Sequence, residues 1–406
     1  MAGALDGIRI VDQTQVMAGP FASMLLADMG AEVIKVEPPD GEHSRHVGLQ
    51  AAPGVAASFL AVNRGKKGLT LDLKQPEGVA VLKRLVETAD VLVENYRPGV
   101  AKRLGVDWET LAAINPRLIY CSVSGFGQTG PYAARGGYDL IAQGMSGIMS
   151  ATGSEDGPPV KVGVPIADLG AGLFAVLGIL CALRARRLTG RGQQVDTSLY
   201  EAALALSAWE ATEYWYTGQI PKPLGTAHRL NAPYQAFRAS DGFFTVGASN
   251  EKLWPMFARL LGLEHLTQDP RFKGVGSRVK NRAALEAELE KVTSTETRAH
   301  WLAKCEEAGI PAGPIYTVPE AHADPHAQAR RMVETLDHPQ AGRVNVLGNP
   351  VKLSRSPAVL RSAAPVLGAD TDAVLAGLGY SAAEVAALRA RKVLGEAQPK
   401  ASRADT

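Results

Sequence analysis

Cysteine is scarce in this 406-residue chain: Cys121, Cys181 and Cys305 lie far apart and form no CxxC spacing. An odd count without paired spacing excludes a disulfide framework and a thiolate zinc site, and points to reduced thiols in a reducing compartment. Within its apolar stretch, Cys181 is expected to pack as a small hydrophobe. An excess of charge of one sign is also lacking, since 43 basic and 41 acidic residues leave a formal charge of +2. With no long single-sign block, neither nucleic acid nor an anionic membrane is an evident partner. The eight histidines are scattered, and the close pairs His43/His46 and His322/His326 come with no HExxH or Cys/His ligand spacing. No metal is therefore expected. No GxSxG stretch is present to build a serine-hydrolase elbow. The first residues carry no basic and apolar leader, and the longest apolar run, 169–183, falls short of the roughly 20 residues that span a bilayer. A soluble, cytoplasmic protein is the expectation.

What is present reads as α/β. Strand-like segments at 8–12, 32–37, 68–73, 91–93, 118–123 and 193–196 alternate with helical patterns at 20–29, from Pro76, at 108–114 and from 169 onward. This alternation predicts a mostly parallel sheet covered on both faces. After a helix at 199–216, the prolines and glycines of 218–225 mark a crossing into a second domain, where 233–237 and 243–246 form a hairpin. Helices are expected at 251–261, 281–292 and 296–308, the last capped by Ser294 or Thr295, then strands at 343–347 and 351–353 and a helix at 382–392. The predicted domains are 1–220, 221–324 and 325–406, the last returning to the first, with a disordered tail from 396.

One stretch stands out. Val162 to Gly172 ends a loop, offers Pro165 as a helix start, places Asp168 in the first turn and then runs into apolar sequence. A carboxylate there gains from the free N–H groups and partial positive charge of the helix start, while Gly170 and Gly172 permit close approach of another molecule. Asp168 therefore reads either as a cap or as an ionised nucleophile. Gly125 to Gly130 matches GxGxxG after a strand, yet Pro131 and Arg135-Gly136-Gly137 continue a loop where a dinucleotide fold needs a helix, so no nicotinamide or flavin is expected. Basic residues gather at Arg64, Lys66 and Lys67, and at Arg97, Lys102 and Arg103, the latter group beside Asn95-Tyr96. An amide, an aromatic face and guanidinium groups following a strand suit an adenine nucleotide with phosphates. His228, at the domain crossing, either touches substrate or bonds its own loop.

Taken together, several stretches resemble the class III CoA-transferases, the formyl-CoA transferase and carnitine-CoA transferase type: Val16-Met17-Ala18-Gly19-Pro20, 27–39, Asn63-Arg64-Gly65-Lys66-Lys67, Glu94-Asn95-Tyr96-Arg97-Pro98-Gly99, 138–143, the Asp168 stretch and 189–193. Within that family, Gly225-Thr226-Ala227-His228 leading to 233–237 looks most similar to succinyl-CoA:glutarate and related dicarboxylate transferases. The resemblance implies a Rossmann-like large domain, a smaller α+β domain and an interlocked homodimer. It implies Asp168 as a nucleophile that carries CoA as an aspartyl thioester, with Tyr138 shielding or positioning acyl groups and Asp139 near Asp168. His228, Arg229 and Gly247 fall on the substrate side. CoA, as substrate, would meet Val16, Ala18, Arg64, Lys66, Lys67, Asn95, Tyr96 and Arg103, its adenosine near Asn95, Tyr96 and Arg103 and its phosphates near Lys66 and Lys67. Met17 stands where formyl-CoA transferases carry glutamine, and their glycine run is missing at 246–249, which argues against a formate and oxalate pair. The alternatives are a racemase of the α-methylacyl-CoA type, whose His-Asp pair is replaced here by Tyr138-Asp139, and a non-catalytic CoA- or nucleotide-binding protein.

Overall fold

The computed structural model describes residues 3–52 and 55–396; the tail expected to be disordered lies, from residue 397, outside them. Six parallel strands form the central sheet: β1 (Arg9–Gln13), β2 (Glu32–Glu37), β3 (Lys66–Thr70), β4 (Val91–Glu94), β5 (Ile119–Ser124) and β6 (Gln194–Ser198). Their order is β3-β2-β1-β4-β5-β6, the doubly wound arrangement whose direction reverses between β1 and β4. Because parallel strands are buried on both faces, they read as apolar runs, and Ile10, Val11, Val91, Leu92 and Val93 have no exposed surface.

One face packs against α1 (Ala18–Asp28), α5 (Ile166–Thr189) and α6 (Leu199–Leu206). The other is covered by α2 (Pro76–Glu87), α3 (Trp108–Ile114) and the helices Thr371–Gly377 and Ala382–Ala390. A short helix, α4 (Asp139–Met145), packs beside α5 and α6. The chain divides into two compact units, one of residues 1–148, 161–216 and 326–406 and one of 149–160 and 217–325. No sequence signal announces that 149–160 groups with the second unit. That unit has a three-stranded antiparallel sheet of Tyr234–Ala239, Gly242–Gly247 and Ala312–Pro314, backed by helices whose core includes Trp254, Phe257, Leu289 and Trp301.

Several expectations are corrected. The third strand begins at Lys66, two residues early, because Lys66 pairs with Val33 in register and its ammonium is neutralised inside the fold. The helix expected over 199–216 breaks at Ser207, whose hydroxyl and N–H both turn back onto the Leu204 carbonyl. Residues 351–353 form no strand; the partner of Gly342–Leu347 is Val333–His338. Neither Ser294 nor Thr295 caps Arg298–Glu307, since Thr297 does, accepting from the His300 N–H. Cys181 is exposed, not packed. Gly170 and Gly172 admit no foreign molecule: a Cβ on Gly172 would lie 2.8 Å from the Ala18 carbonyl, and one on Gly170 would lie 2.9 Å from Leu206 Cδ1. These glycines let α1 and α6 approach α5. Helix α5, at 24 residues, outruns the apolar stretch and by length and composition is long enough to cross a membrane. Its Ala167, Ala171, Ala175 and Ile179 are nevertheless buried in the core.

Candidate active site

At the C-terminal ends of β1, β4 and β5, where the strand order reverses, a crevice of about 350 Å³ opens among Gln15–Ala18, Asn95–Pro98, Val123–Gly125 and Arg135–Tyr138, with Asp168 and Leu199. Ligands in doubly wound sheets bind at such a switch point. Its close quarters depend on Gly125 and Gly137, which meet backbone to backbone: a Cβ on Gly125 would lie 2.6 Å from the Gly137 Cα.

Asp168 sits in the first turn of α5, after Pro165, and its carboxylate accepts no hydrogen bond from any described residue. The cap is Asp139 instead. Its Oδ1 accepts from the Ala167 N–H at 2.9 Å and from the Asp168 N–H at 3.4 Å, while its Oδ2 accepts from Gln143 Nε2 at 2.7 Å. Gln143 in turn accepts the Val162 N–H at 2.9 Å, tying the loop before α5 to α4. The helix start that sequence reasoning assigned to Asp168 is thus occupied by a neighbouring carboxylate, and two of its N–H groups are unavailable to an oxyanion. The electrostatic expectation reverses with it. Burial, reinforced by the Asp139 charge, pushes the Asp168 carboxyl up to about 7, so the helix start does not hold it strongly ionised.

Of the residues selected from sequence, the structure brings Val16, Ala18, Asn95, Tyr96, Tyr138 and Asp168 to one crevice. Tyr138 is 72 % exposed at its edge. The Asn95 amide does not face a ligand; it accepts the Gln15 N–H and donates to the Gln15 carbonyl, both at 2.8 Å, clamping the turn after β1. Arg64 and Lys66 present no charge to solvent. Arg64 makes a bidentate pair with Asp28, and Lys66 Nζ, fully buried, donates to Asp12, the Pro20 carbonyl and Asn63. Lys67 is exposed but pairs with Glu32 at 2.6 Å, near the N-terminal edge of the sheet, away from the crevice. Arg103 is exposed on Val100–Leu104 and does not line the crevice. His228, Arg229 and Gly247 belong to the second unit. There His228 Nδ1 accepts the Leu230 N–H, Arg229 donates to the Lys222 carbonyl at 2.6 Å, and the Gly247 N–H donates to the Pro311 carbonyl.

Two guanidinium groups line the crevice without a carboxylate partner among the described residues. Arg97 packs against Gly136, whose Cβ, if present, would be 3.0 Å from Nη2, and Arg135 stacks on the Tyr132 ring at 3.9 Å. Sequence reasoning selected Arg97 as an anion contact but passed over Arg135, which reads there only as part of a glycine loop. It quoted Glu94 only within a matching stretch and gave no role to this carboxyl at the end of β4, which burial raises to about 7, and it missed Glu42, whose acceptance of the Val16 N–H joins residues 26 apart. No local pattern announces the Glu42 contact.

Among the described residues, a carboxylate that accepts no hydrogen bond and two guanidinium groups without a carboxylate partner line one crevice at the switch point of a doubly wound sheet, an arrangement suited to an anionic ligand. The model of CoA-transferase family III matches residues 5–371. The chain is 41 % identical over 386 residues to the succinate–glutarate CoA-transferase of Agrobacterium fabrum, covering 92 % of this chain and 95 % of that one. It is 40 % identical over 372 residues to the succinyl-CoA:glutarate CoA-transferase of Mus musculus, covering 91 % and 85 %. To the acetyl-CoA:oxalate CoA-transferase of Acetobacter aceti it is 43 % identical, covering 87 % and 90 %. Among solved structures, a CAIB/BAIF family protein from Brucella suis superposes with a TM-score of 0.83 at 42 % identity, over 93 % of this chain and all of that one. The protein belongs to CoA-transferase family III and is a transferase enzyme.

Proposed function

We propose that the protein moves CoA from an acyl-CoA donor such as succinyl-CoA to a small carboxylate acceptor, with dicarboxylates preferred, through an aspartyl-CoA thioester on Asp168. The carrying observation is the Asp168 carboxylate, which accepts no hydrogen bond from any described residue, in the crevice wall. A carboxylate oxygen attacks the donor thioester carbonyl; the C–S bond breaks, leaving a mixed anhydride and the CoA thiolate. The thiolate attacks the Asp168 carbonyl carbon, releases the donor as a carboxylate and leaves the thioester on Asp168. The acceptor carboxylate then repeats these steps in reverse, and Asp168 returns unchanged. Thioester energy is conserved only if water is excluded from the anhydride. Arg97 and Arg135 are the cations available there to the anionic parts of the substrates.

Acceptor choice is tested with a panel of mono- and dicarboxylates assayed against succinyl-CoA, in wild type and Arg229→Ala. The expected result is a dicarboxylate preference that weakens in the variant. Equal turnover of monocarboxylates, or an unchanged preference in Arg229→Ala, removes Arg229 from acceptor recognition.

The nucleophile must be ionised, and its carboxyl is raised to about 7. kcat/KM is therefore expected to rise about tenfold per pH unit below that value and to level off above it. Replacing Asp139 by asparagine removes the neighbouring negative charge, so the acidic limb should move to lower pH by roughly one unit. A limb that stays in place, or moves up, refutes the electrostatic coupling of the pair.

A homodimer is the second part of the proposal, with the two chains interlocked. Its support is apolar surface left uncovered in one chain: Leu173, Leu177 and Leu180 on α5, and Trp209 and Trp215 on Ala208–Thr217, are between 41 % and 73 % exposed. Patches of this kind on soluble proteins mark interfaces. Analytical ultracentrifugation should give about twice the 42.9 kDa of the chain, and Leu177→Arg/Leu180→Arg should break the dimer or make the protein insoluble. A monodisperse monomer of wild type would refute the dimer.

A further inference from the structure

Glu42, ahead of the short turn His43–Arg45, is only 1 % exposed, and its Oε2 accepts the Val16 N–H at 3.0 Å. Val16 has φ +69°. A β-branched residue enters that left-handed region only under constraint. It does so in the wall of the Asp168 crevice, where the residue is 49 % exposed.

The backbone just before Val16 is held as firmly. Asp12 accepts the Thr14 N–H and hydroxyl, Lys35 Nζ donates to the Thr14 carbonyl at 2.9 Å, and Asn95 takes both backbone groups of Gln15. Glu42 is itself fixed, since its N–H donates to Glu37 at 3.2 Å, Arg45 grips Glu37 with two bonds of 2.7 Å, and Lys35 Nζ lies 3.3 Å from Glu42 Oε1. The motif Val16-Met17-Ala18 gave no sign of this strain, which is visible only in the dihedral angle.

The geometry points to Glu42 as a positioning residue for the transfer reaction: by holding the Val16 N–H it keeps the turn between β1 and α1 in a strained shape and so sets the crevice wall beside Asp168. Its kinetic consequence rests on the CoA-transfer reading; its conformational consequence does not. Glycine adopts positive φ at little cost. In a Val16→Gly background the turn needs far less holding, so the effect of losing Glu42 should shrink there.

The experiment is a double-mutant cycle of wild type, Glu42→Ala, Val16→Gly and the double variant, read as the single-turnover rate of CoA adduct formation on Asp168, with Tm measured alongside. Glu42→Ala is expected to slow adduct formation about tenfold or more beside Val16 and by less than about threefold in the Val16→Gly background. Equal losses in both backgrounds overturn the inference and leave Glu42 a purely structural residue. If wild type forms no adduct, the transfer reading falls by itself, and crystal structures of Glu42→Ala and the double variant decide the positioning role. Position 16 should leave positive φ in the first and keep it in the second; a Val16 that stays at positive φ without Glu42 overturns the role. Should Glu42→Ala not fold, hydrogen exchange at the Val16 amide of wild type serves instead. At least about hundredfold protection is expected, and an unprotected amide refutes the hold.

Discussion

Replacing Asp168 by alanine is expected to lower CoA transfer by about 10⁴-fold or more, because the proposed covalent route then loses the carboxylate that accepts the acyl group, and no other carboxylate lines the crevice among the described residues. The measurement is turnover of succinyl-CoA with a carboxylate acceptor, joined to mass spectrometry of protein incubated with acyl-CoA alone. Wild type should show a hydroxylamine-sensitive CoA adduct on Asp168, and Asp168→Ala should show none. A variant that keeps turnover ends the nucleophile assignment. Exchange of the substrate α-hydrogen for solvent deuterium, with no acceptor present, would favour a racemase. Tight CoA binding without exchange of labelled carboxylate would favour a binding protein.

Lys66→Met is expected to destabilise the fold by about 3–5 kcal/mol, since it strips Asp12 of a buried partner. Lys66 and Asp12 are both fully buried and 2.8 Å apart, and Asp12, which burial alone would raise, is held well below the usual carboxylate range by Lys66 and Lys35. Chemical denaturation should show the midpoint fall, with acyl-CoA affinity of the folded fraction little changed. An unchanged midpoint with a raised KM for acyl-CoA would return Lys66 to the phosphate-contacting role that sequence resemblance gave it.

The sheet was legible because its inner strands are buried on both faces and so appear as apolar runs between helical patterns; β1, β2, β4 and β5 fall within a residue or two of their expected places. Lys66 shows where that legibility ends. A lysine reads as surface or ligand-binding unless its partner is known, and Asp12 lies 54 residues away. Asp168 illustrates the same limit within the site. Its place at a helix start was readable, yet the residue that caps the helix comes from a separate segment, and the sign of the pKa shift follows from that tertiary contact. Asn95 lines the crevice, but its amide is spent on the backbone of Gln15.

The return of the chain's end to the first unit has a consequence for biosynthesis. Val374, Leu375, Val385, Leu388 and Val393 complete the hydrophobic layer over Leu69, Leu82, Leu92 and Tyr120, and the Asp72 N–H donates to the Val393 carbonyl. Part of that face, beyond what α2 and α3 cover, therefore stays open until residues 371–394 have left the ribosome. The nascent chain must remain soluble with a large apolar surface open, and contacts so distant in sequence close slowly. Truncations ahead of Thr371 should for this reason fail as aggregation-prone intermediates, even though they retain every residue of the crevice.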